Sequence, residues 1–471
     1  MEEKKSKKLG LVITDGVGYR NFILSDFIKE ASGRFYQIVI YSALPKEVYS
    51  LEGFNNIYVK ELPVFTEPFL TWFYRKTKEV AHLRLHNDFF GINDNHKANQ
   101  PVGRTNRAVA TKFIYKVTEK FHSEGFIKNI EKRQINSVAK HSVSEACIMF
   151  LKEDNPDLLF FTHQRPPYII PLIYAARKLN IRTCSFIFSW DNLSSKGRMA
   201  ANFNSFLVWS ALMKKDMNYF YPLTKTQKVE VVGTPQFEPY IMPESELDVE
   251  SFYQRFELDD KKKTICYSCG DISTSRKDGL YIEVIARAME EEKFNKNINF
   301  IVRTSPAEEP KRFETLRRKF PFIKWNFPKW SLSRSDHPEA WSQRVPFRED
   351  IKDLRMILQY SDIGINMCST MSLDFMLFDK PVINPVFGNE NNGLYNDQRF
   401  LEFDHYKNLV IGGAVAIARN EEELIKEINF SLNNPEARII EQRRMISLQI
   451  GKPLEGTSKR IADVLMNLDV S

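Results

Sequence analysis

Residues 361–385 of the chain read SDIGINMCSTMSLDFMLFDKPVINP. Positions 362–367 form an apolar run of strand length, and Cys368, Ser369 and Thr370 are small and polar. Positions 371–378 suit a helix with one acid, Asp374, and Asp379-Lys380-Pro381 stops it before a second strand. That order sets a helix N-terminus at the carboxyl end of a parallel strand, where α/β proteins hold anionic groups. Ser369 or Thr370 can cap the helix and also offer a hydroxyl to a phosphate. Asp374 follows Thr370 by four residues, on the same helix side, so its carboxylate can accept hydrogen bonds from ribose hydroxyls. The same residues also suit an ordinary βαβ crossover with a polar cap.

Other strand ends carry comparable groups. Gly270 follows a predicted strand and sits among Ser268, Asp271 and Ser273; a glycine there lets backbone approach a phosphate, or simply makes a βα turn. Arg303 ends the run NFIVR and is placed either to clamp a diphosphate or to lie on the surface before a turn. The loop SWDNLSSKG follows a buried strand, and its Trp190, Asp191, Asn192 and Lys196 form a candidate substrate loop; Asp191 and Asn192 alternatively shape an Asx-turn. Asp15, in ITDGVG, stands where a general base can face a cleft, or where a turn Asp bonds its own backbone. His163 has an equivalent position in FFTHQR and is the second candidate base.

Nothing points to a metal. Cys266 and Cys269 form a single CxxC with no second pair, and the other three of the five cysteines lie in or beside apolar runs. The net charge of +7 suits an anionic ligand or an anionic membrane surface, and no nucleic-acid module is present. Between 65 and 120 aromatic and basic residues interleave at helical spacing, which suits an anionic lipid surface, an acceptor carrying lipid or phosphate, or a core helix with a basic rim. No apolar run is long enough to span a bilayer, and MEEKKSKKLG has no signal core, so a cytoplasmic protein is expected, at most touching the inner face of the plasma membrane.

These side chains need strands to hold them. Strands are expected at 8–14, 35–42, 56–62, 157–162, 183–188, 206–209 and 230–232, with a helix over 19–31 and one long helix over 127–152. A second series has strands at 264–268, 298–303, 362–367, 381–386 and 409–417, and helices at 278–294, 308–319, 350–360, 370–378 and 421–433. The implied fold is α/β: two Rossmann-like, doubly wound domains facing across a cleft. The boundaries are a first domain at 1–238, a connection at 239–262, a second domain at 263–440, and C-terminal helices at 441–471 that pack back on the first.

Several segments, VEVVGTPQFEPY, SWDNLSSKGR with SFLVWSALMKKDMNYFY, the 362–385 segment and the C-terminal NNPEARIIEQRRMIS, resemble bacterial glycosyltransferases of the GT-B type. The resemblance covers roughly 155–470 and extends to CDP-glycerol glycerophosphotransferases and sugar-nucleotide 2-epimerases, which share the fold. It implies a surface-polysaccharide or lipopolysaccharide enzyme that moves a sugar from a nucleotide-sugar donor to a glycan or lipid-linked acceptor without a metal. On this chain Gly270, Arg303, Ser369 and Thr370 are then expected on the diphosphate. Asp374 is expected on the ribose, where the family usually has Glu. An inverting enzyme would use Asp15 or His163 as base; a retaining one would need neither. The alternatives are a sugar-nucleotide isomerase on the same fold and a non-catalytic nucleotide- or glycan-binding module.

Overall fold

A computed structural model of the chain describes residues 7–272, 274–388 and 397–468; Ser273 lies outside the described residues. The chain divides into two units. The first comprises Met1–Glu238, Leu332–Val345 and Ile450–Ser471, and the second Pro239–Ser331 and Pro346–Gln449.

The first unit is built on seven parallel strands: β1 (Lys8–Ile13), β2 (Gln37–Ser42), β3 (Ile57–Glu61), β4 (Leu158–Phe161), β5 (Arg182–Phe186), β6 (Ser205–Val208) and β7 (Lys228–Val231). Their order is β3-β2-β1-β4-β5-β6-β7. Near-continuous apolar runs such as LLFF and SFLV are what a parallel sheet covered on both faces requires. Phe22, Phe27, Phe160 and Phe186 interlock edge-on or tilted, with centroids 5.3–6.0 Å apart, and weld the first helices to the sheet.

The second unit has β8 (Lys263–Ser268), β9 (Ile298–Arg303) and β10 (Lys324–Asn326). A two-stranded ribbon, β11 (Trp330–Leu332) with β12 (Arg344–Pro346), leads into the Leu332–Val345 excursion and out of it. β13 (Ile363–Ile365), β14 (Val382–Pro385) and β15 (Ala416–Ala418) complete the sheet, in the parallel order β10-β9-β8-β13-β14-β15. Both units are therefore doubly wound α/β. In each, the strand order reverses beside the first strand, between β1 and β4 in one and between β8 and β13 in the other.

Several expectations are corrected. The helix expected over 127–152 is two, Glu124–Asn136 and Ser142–Asp154, because the His141 imidazole accepts from Val143 N and caps a new start. The 19–31 segment likewise breaks into Gly16–Phe22 and Phe27–Arg34, with the Ser25 hydroxyl bonding backbone between them. Residues 409–417 are mostly not strand: the helix Asp404–Ile411 runs into them and only Ala416–Ala418 pairs. Residues 239–262, read as a connection, belong to the second unit, where the helix Val249–Phe256 buries Phe252 and Phe256. The last helix, Thr457–Met466, packs within the first unit, with Asp463 on Arg34 at 2.5 Å, whereas Ile439–Gln449 stays with the second.

Candidate functional site

In an open parallel sheet, ligands bind outside the carboxyl ends of the strands where the order reverses. In the first unit that position is occupied by Asp15, after β1, and His163, after β4. They are 148 positions apart in sequence, and Asp15 Oδ2 meets His163 Nδ1 at 2.9 Å. Asp15 also caps the helix Gly16–Phe22, with Oδ1 accepting from Gly18 N at 2.8 Å, while Oδ2 accepts from Thr14 Oγ1 at 2.7 Å. Burial pushes this carboxyl up. The hydrogen bonds and charge of His163, with the bonds from Thr14 and Gly18, outweigh it and hold the group below its ordinary value.

An ionised carboxylate only accepts, so His163 carries its proton on Nδ1 and presents Nε2 as the basic nitrogen. Among the described residues Nε2 makes no hydrogen bond. The ring is stacked on Phe188, centroids 3.9 Å apart and 14° from parallel. Thr162 Oγ1 bonds Val12 O at 2.9 Å and Tyr168 OH bonds Thr14 O at 2.9 Å, so the backbone under both partners is braced. Asp15, expected as the first-choice base, is fully buried and already accepts three hydrogen bonds. The geometry suits it to orienting His163.

The 189–197 loop lies beside this pair. Gln164 Nε2 donates to Asn192 Oδ1 at 2.9 Å, and Asn192 Nδ2 to Asp191 Oδ1 at 3.0 Å. Lys196 reaches Asp191 at 3.4 Å, and Trp190 is buried in the core. These polar residues brace the loop against the segment that carries His163.

In the second unit Gly270 follows β8, and Ser369 and Thr370 follow β13, so both turns stand at the second reversal. A Cβ on Gly270 would lie 2.6 Å from Ser275 Cβ, so the turn has no room for a side chain. Its N–H donates to Asp278 at 3.0 Å and its carbonyl accepts from Arg312 at 2.7 Å. Ser369 Oγ accepts from Met371 N at 3.0 Å, whereas Thr370, at the cap position, makes no side-chain cap bond. The helix is only Met371–Met376. A buried network of Asn366, Ser372, Asn384 and Tyr406, with bonds of 2.7–3.4 Å, fixes the turn from beneath. Cys368, in the left-handed region at φ 47°, folds it back.

Two expected ligand residues are turned inward. Arg303 is buried and makes a two-pronged pair with Asp350, at 2.9 and 3.1 Å, and also bonds Asn326. Asp350 further accepts from Lys329 N and Trp330 Nε1. The guanidinium thus ties three segments of the second unit together and is not aimed at a diphosphate. Asp374 is buried and accepts from the Tyr240 hydroxyl, so it does not present a free carboxylate to a ribose. Asp350 was invisible in sequence because it opens an ordinary amphipathic helix. Asn384 left a faint signal, a polar residue inside the strand VINP. Among the described residues no group of three or more His, Cys, Asp or Glu is placed to hold a metal ion.

The fold is shared with solved structures of low sequence identity. UDP-GlcNAc 2-epimerase from Methanocaldococcus jannaschii aligns with a TM-score of 0.52 at 12% identity, over 97% of this chain and 99% of that one. A glycosyltransferase from Rickettsia africae aligns at 0.51 and 11%, over 99% and 100%. Anabaena Alr3699/HepE, in complex with UDP and glucose, aligns at 0.51 and 12%, over 98% and 100%. No curated protein matches the chain by sequence. The family model CDP-Glycerol:Poly(glycerophosphate) glycerophosphotransferase matches residues 191–466, from the loop after β5 to the last helix. With that match over more than half its length, the chain belongs to the CDP-glycerol:poly(glycerophosphate) glycerophosphotransferase family and is a transferase of the GT-B fold.

Proposed function

We propose that the chain moves a group from a nucleoside diphosphate-linked donor to a hydroxyl on a glycan or lipid-linked acceptor, with His163 as the base and no metal in the reaction. The observation that carries this reading is the Asp15–His163 pair at the strand-order reversal of the first sheet. Nε2 takes the acceptor proton as the new bond forms. Asp15 holds the ring in the tautomer that leaves Nε2 basic and stabilises the imidazolium that results. The turns after β8 and β13 are the part of the second unit proposed to hold the nucleotide, through backbone groups and the Ser369 and Thr370 hydroxyls.

Two bond cleavages fit this arrangement. In glycosyl transfer from a nucleotide-sugar, the anomeric C–O bond breaks and a nucleoside diphosphate leaves. In glycerophosphate transfer, the reading the family match favours, the P–O bond between the two phosphates breaks and CMP leaves. Incubating the protein with UDP-, GDP- and CDP-linked donors and a mixed glycan and lipid-linked acceptor pool, then identifying the nucleotide released, separates them. A nucleoside diphosphate identifies glycosyl transfer and CMP identifies glycerophosphate transfer. An isomerised donor with no nucleotide released, or no turnover of any donor, overturns the proposal.

The acceptor's lipid also has a proposed contact. On the helices Phe69–Leu85 and Asn106–Thr118, Phe69, Leu70, Val109 and Phe113 are each more than half exposed. Phe73 stacks toward Phe113 at 6.5 Å, and the Arg107 guanidinium lies 5.2 Å over Trp72. Residues 104–120 hold five cations and a single acid, Glu119. Protruding aromatic rings among uncompensated cations suit peripheral contact with an anionic bilayer surface. Among the described residues no helix is long and apolar enough to cross a membrane.

A further inference from the structure

A cavity of about 640 Å³ opens in the first unit. It lies beside the amino ends of β5 and β6: Lys178 ends the helix that leads into β5, and Asn202 precedes β6. Asp15 and His163 follow carboxyl ends, so the cavity is at the opposite edge of the sheet. Its volume falls within the range of small-molecule sites.

The cavity wall is strongly cationic. Lys128 and Lys132 stand one turn apart on the helix Glu124–Asn136, and Arg177 and Lys178 face them from the helix Ile170–Lys178. Like charges four residues apart on a helix repel each other, and an anion between them relieves that repulsion. Among the described residues Lys128, Lys132 and Lys178 make no ion pair and no hydrogen bond. The one acid in the wall, Glu131, is buried and already answered. Its Oε1 accepts from Asn202 N at 3.0 Å and from Arg177 at 3.2 Å. Burial raises its carboxyl, but the charges of Lys78, Arg198 and Arg177 hold it below its ordinary value. The positive charge at the mouth is therefore left over. Tyr174, Ile135 and Leu223 give the rest of the wall an aromatic and apolar surface.

We infer that this groove is a second ligand site, for a small organic molecule carrying two or more phosphates. Lys128, Lys132 and Lys178 take the phosphates and Tyr174 packs on the carbon body. Charge alone would serve any anion; the volume and the apolar part of the wall select one with an organic frame.

The test is calorimetric titration of the full chain with tripolyphosphate and with fructose 1,6-bisphosphate at low salt. The comparison is the triple variant Lys128→Ala, Lys132→Ala, Lys178→Ala. All three side chains are exposed, so the variant folds, and all lie outside the turns proposed to hold a nucleotide. Binding that weakens tenfold or more in the variant, and that fades as salt screens the site, is the expected result. Binding of the bisphosphate alone, or more tightly than tripolyphosphate, assigns phosphates carried on a carbon frame, and equal binding of both overturns the selection for that frame. Binding of tripolyphosphate alone overturns the organic frame. No heat with either ligand, or affinity within twofold of the native protein in the variant, overturns the site. None of these outcomes depends on which donor the enzyme uses.

Discussion

Asp15 Oδ2 and His163 Nδ1 meet at 2.9 Å where the order of the first sheet reverses, joining the ends of β1 and β4. The carboxylate has three donors and no freedom, whereas the imidazole keeps Nε2 unbonded among the described residues. The division of labour follows from that asymmetry. The residue that can exchange a proton is the histidine, and the aspartate positions it.

His163→Ala should lower turnover by about 10²–10⁴-fold, the usual contribution of a general base. Asp15→Asn should lower it by a comparable factor while leaving nucleotide affinity unchanged. Steady-state rates with calorimetric nucleotide binding check both. Full activity in His163→Ala would remove the imidazole from the reaction.

Arg303→Ala should cost about 3–5 kcal/mol of stability, because it strands the buried Asp350 carboxylate. Adding Asp350→Asn to that variant should cost much less than Asp350→Asn does alone, since the two residues act as a pair. Denaturant unfolding of the four proteins gives the cycle. Unchanged stability with a tenfold loss of nucleotide affinity would return Arg303 to the ligand.

Gly364, in β13, has Phe375 directly against the position a Cβ would take. Gly364→Ala should destabilise the second unit by about 1–3 kcal/mol through overpacking, and Phe375→Leu should recover part of it. If thermal unfolding shows the alanine tolerated with no shift, the packing under the Asn366–Thr370 turn is looser than described.

His86 should make the protein acid-sensitive. Burial first, then the Arg198 guanidinium, push its imidazole down to about 4. The unfolded chain takes that proton near pH 6.5, so between 6.5 and 4 it binds more protons than the folded one. The stability is complete above that window and is lost as pH falls through it, by about 1–3 kcal/mol after allowance for screening at the ring's exposed edge. Urea midpoints at pH 7 and pH 4.5 should diverge less in His86→Phe than in the native protein. Equal divergence would assign the acid sensitivity elsewhere.

Vesicle co-sedimentation should show binding to anionic lipid at low salt and release at high salt. Phe69→Ser with Phe113→Ser should abolish it, leaving donor turnover in solution intact. If the native protein ignores anionic vesicles, the exposed aromatic face has some other use.

Much of this architecture was readable in the chain because its signals are local. Apolar runs closed by turn residues marked eleven of the fifteen strands among the described residues near their observed positions, and overlapped a twelfth, β15, by two residues. They also put Asp15, His163, Gly270 and Ser369 at carboxyl ends, where a parallel sheet exposes side chains. The short strands at 324–326, 330–332 and 344–346 had too little apolar pattern to register. The long helix over 127–152 failed for another local reason: apolar spacing persists through 137–141, while the break depends on the cap that His141 supplies.

Which strand ends are neighbours is a different kind of fact. β1 and β4 are separated by more than a hundred residues, and only sheet assembly makes Asp15 and His163 partners. Arg303 and Asp374 stand where their sequence position promised, but the direction of a side chain is chosen by what packs behind it. Asp350 and Tyr240, from elsewhere in the second unit, draw them inward. The return of Leu332–Val345 and the last helix to the first unit was likewise decided by packing. The sequence alone determined two doubly wound α/β units and which residues stand at their strand ends, because periodicity and turn chemistry act over a few residues. Tertiary structure alone decided which of those residues meet and which are left to act, because long-range pairing and burial have no signature in the spacing of residues along the chain.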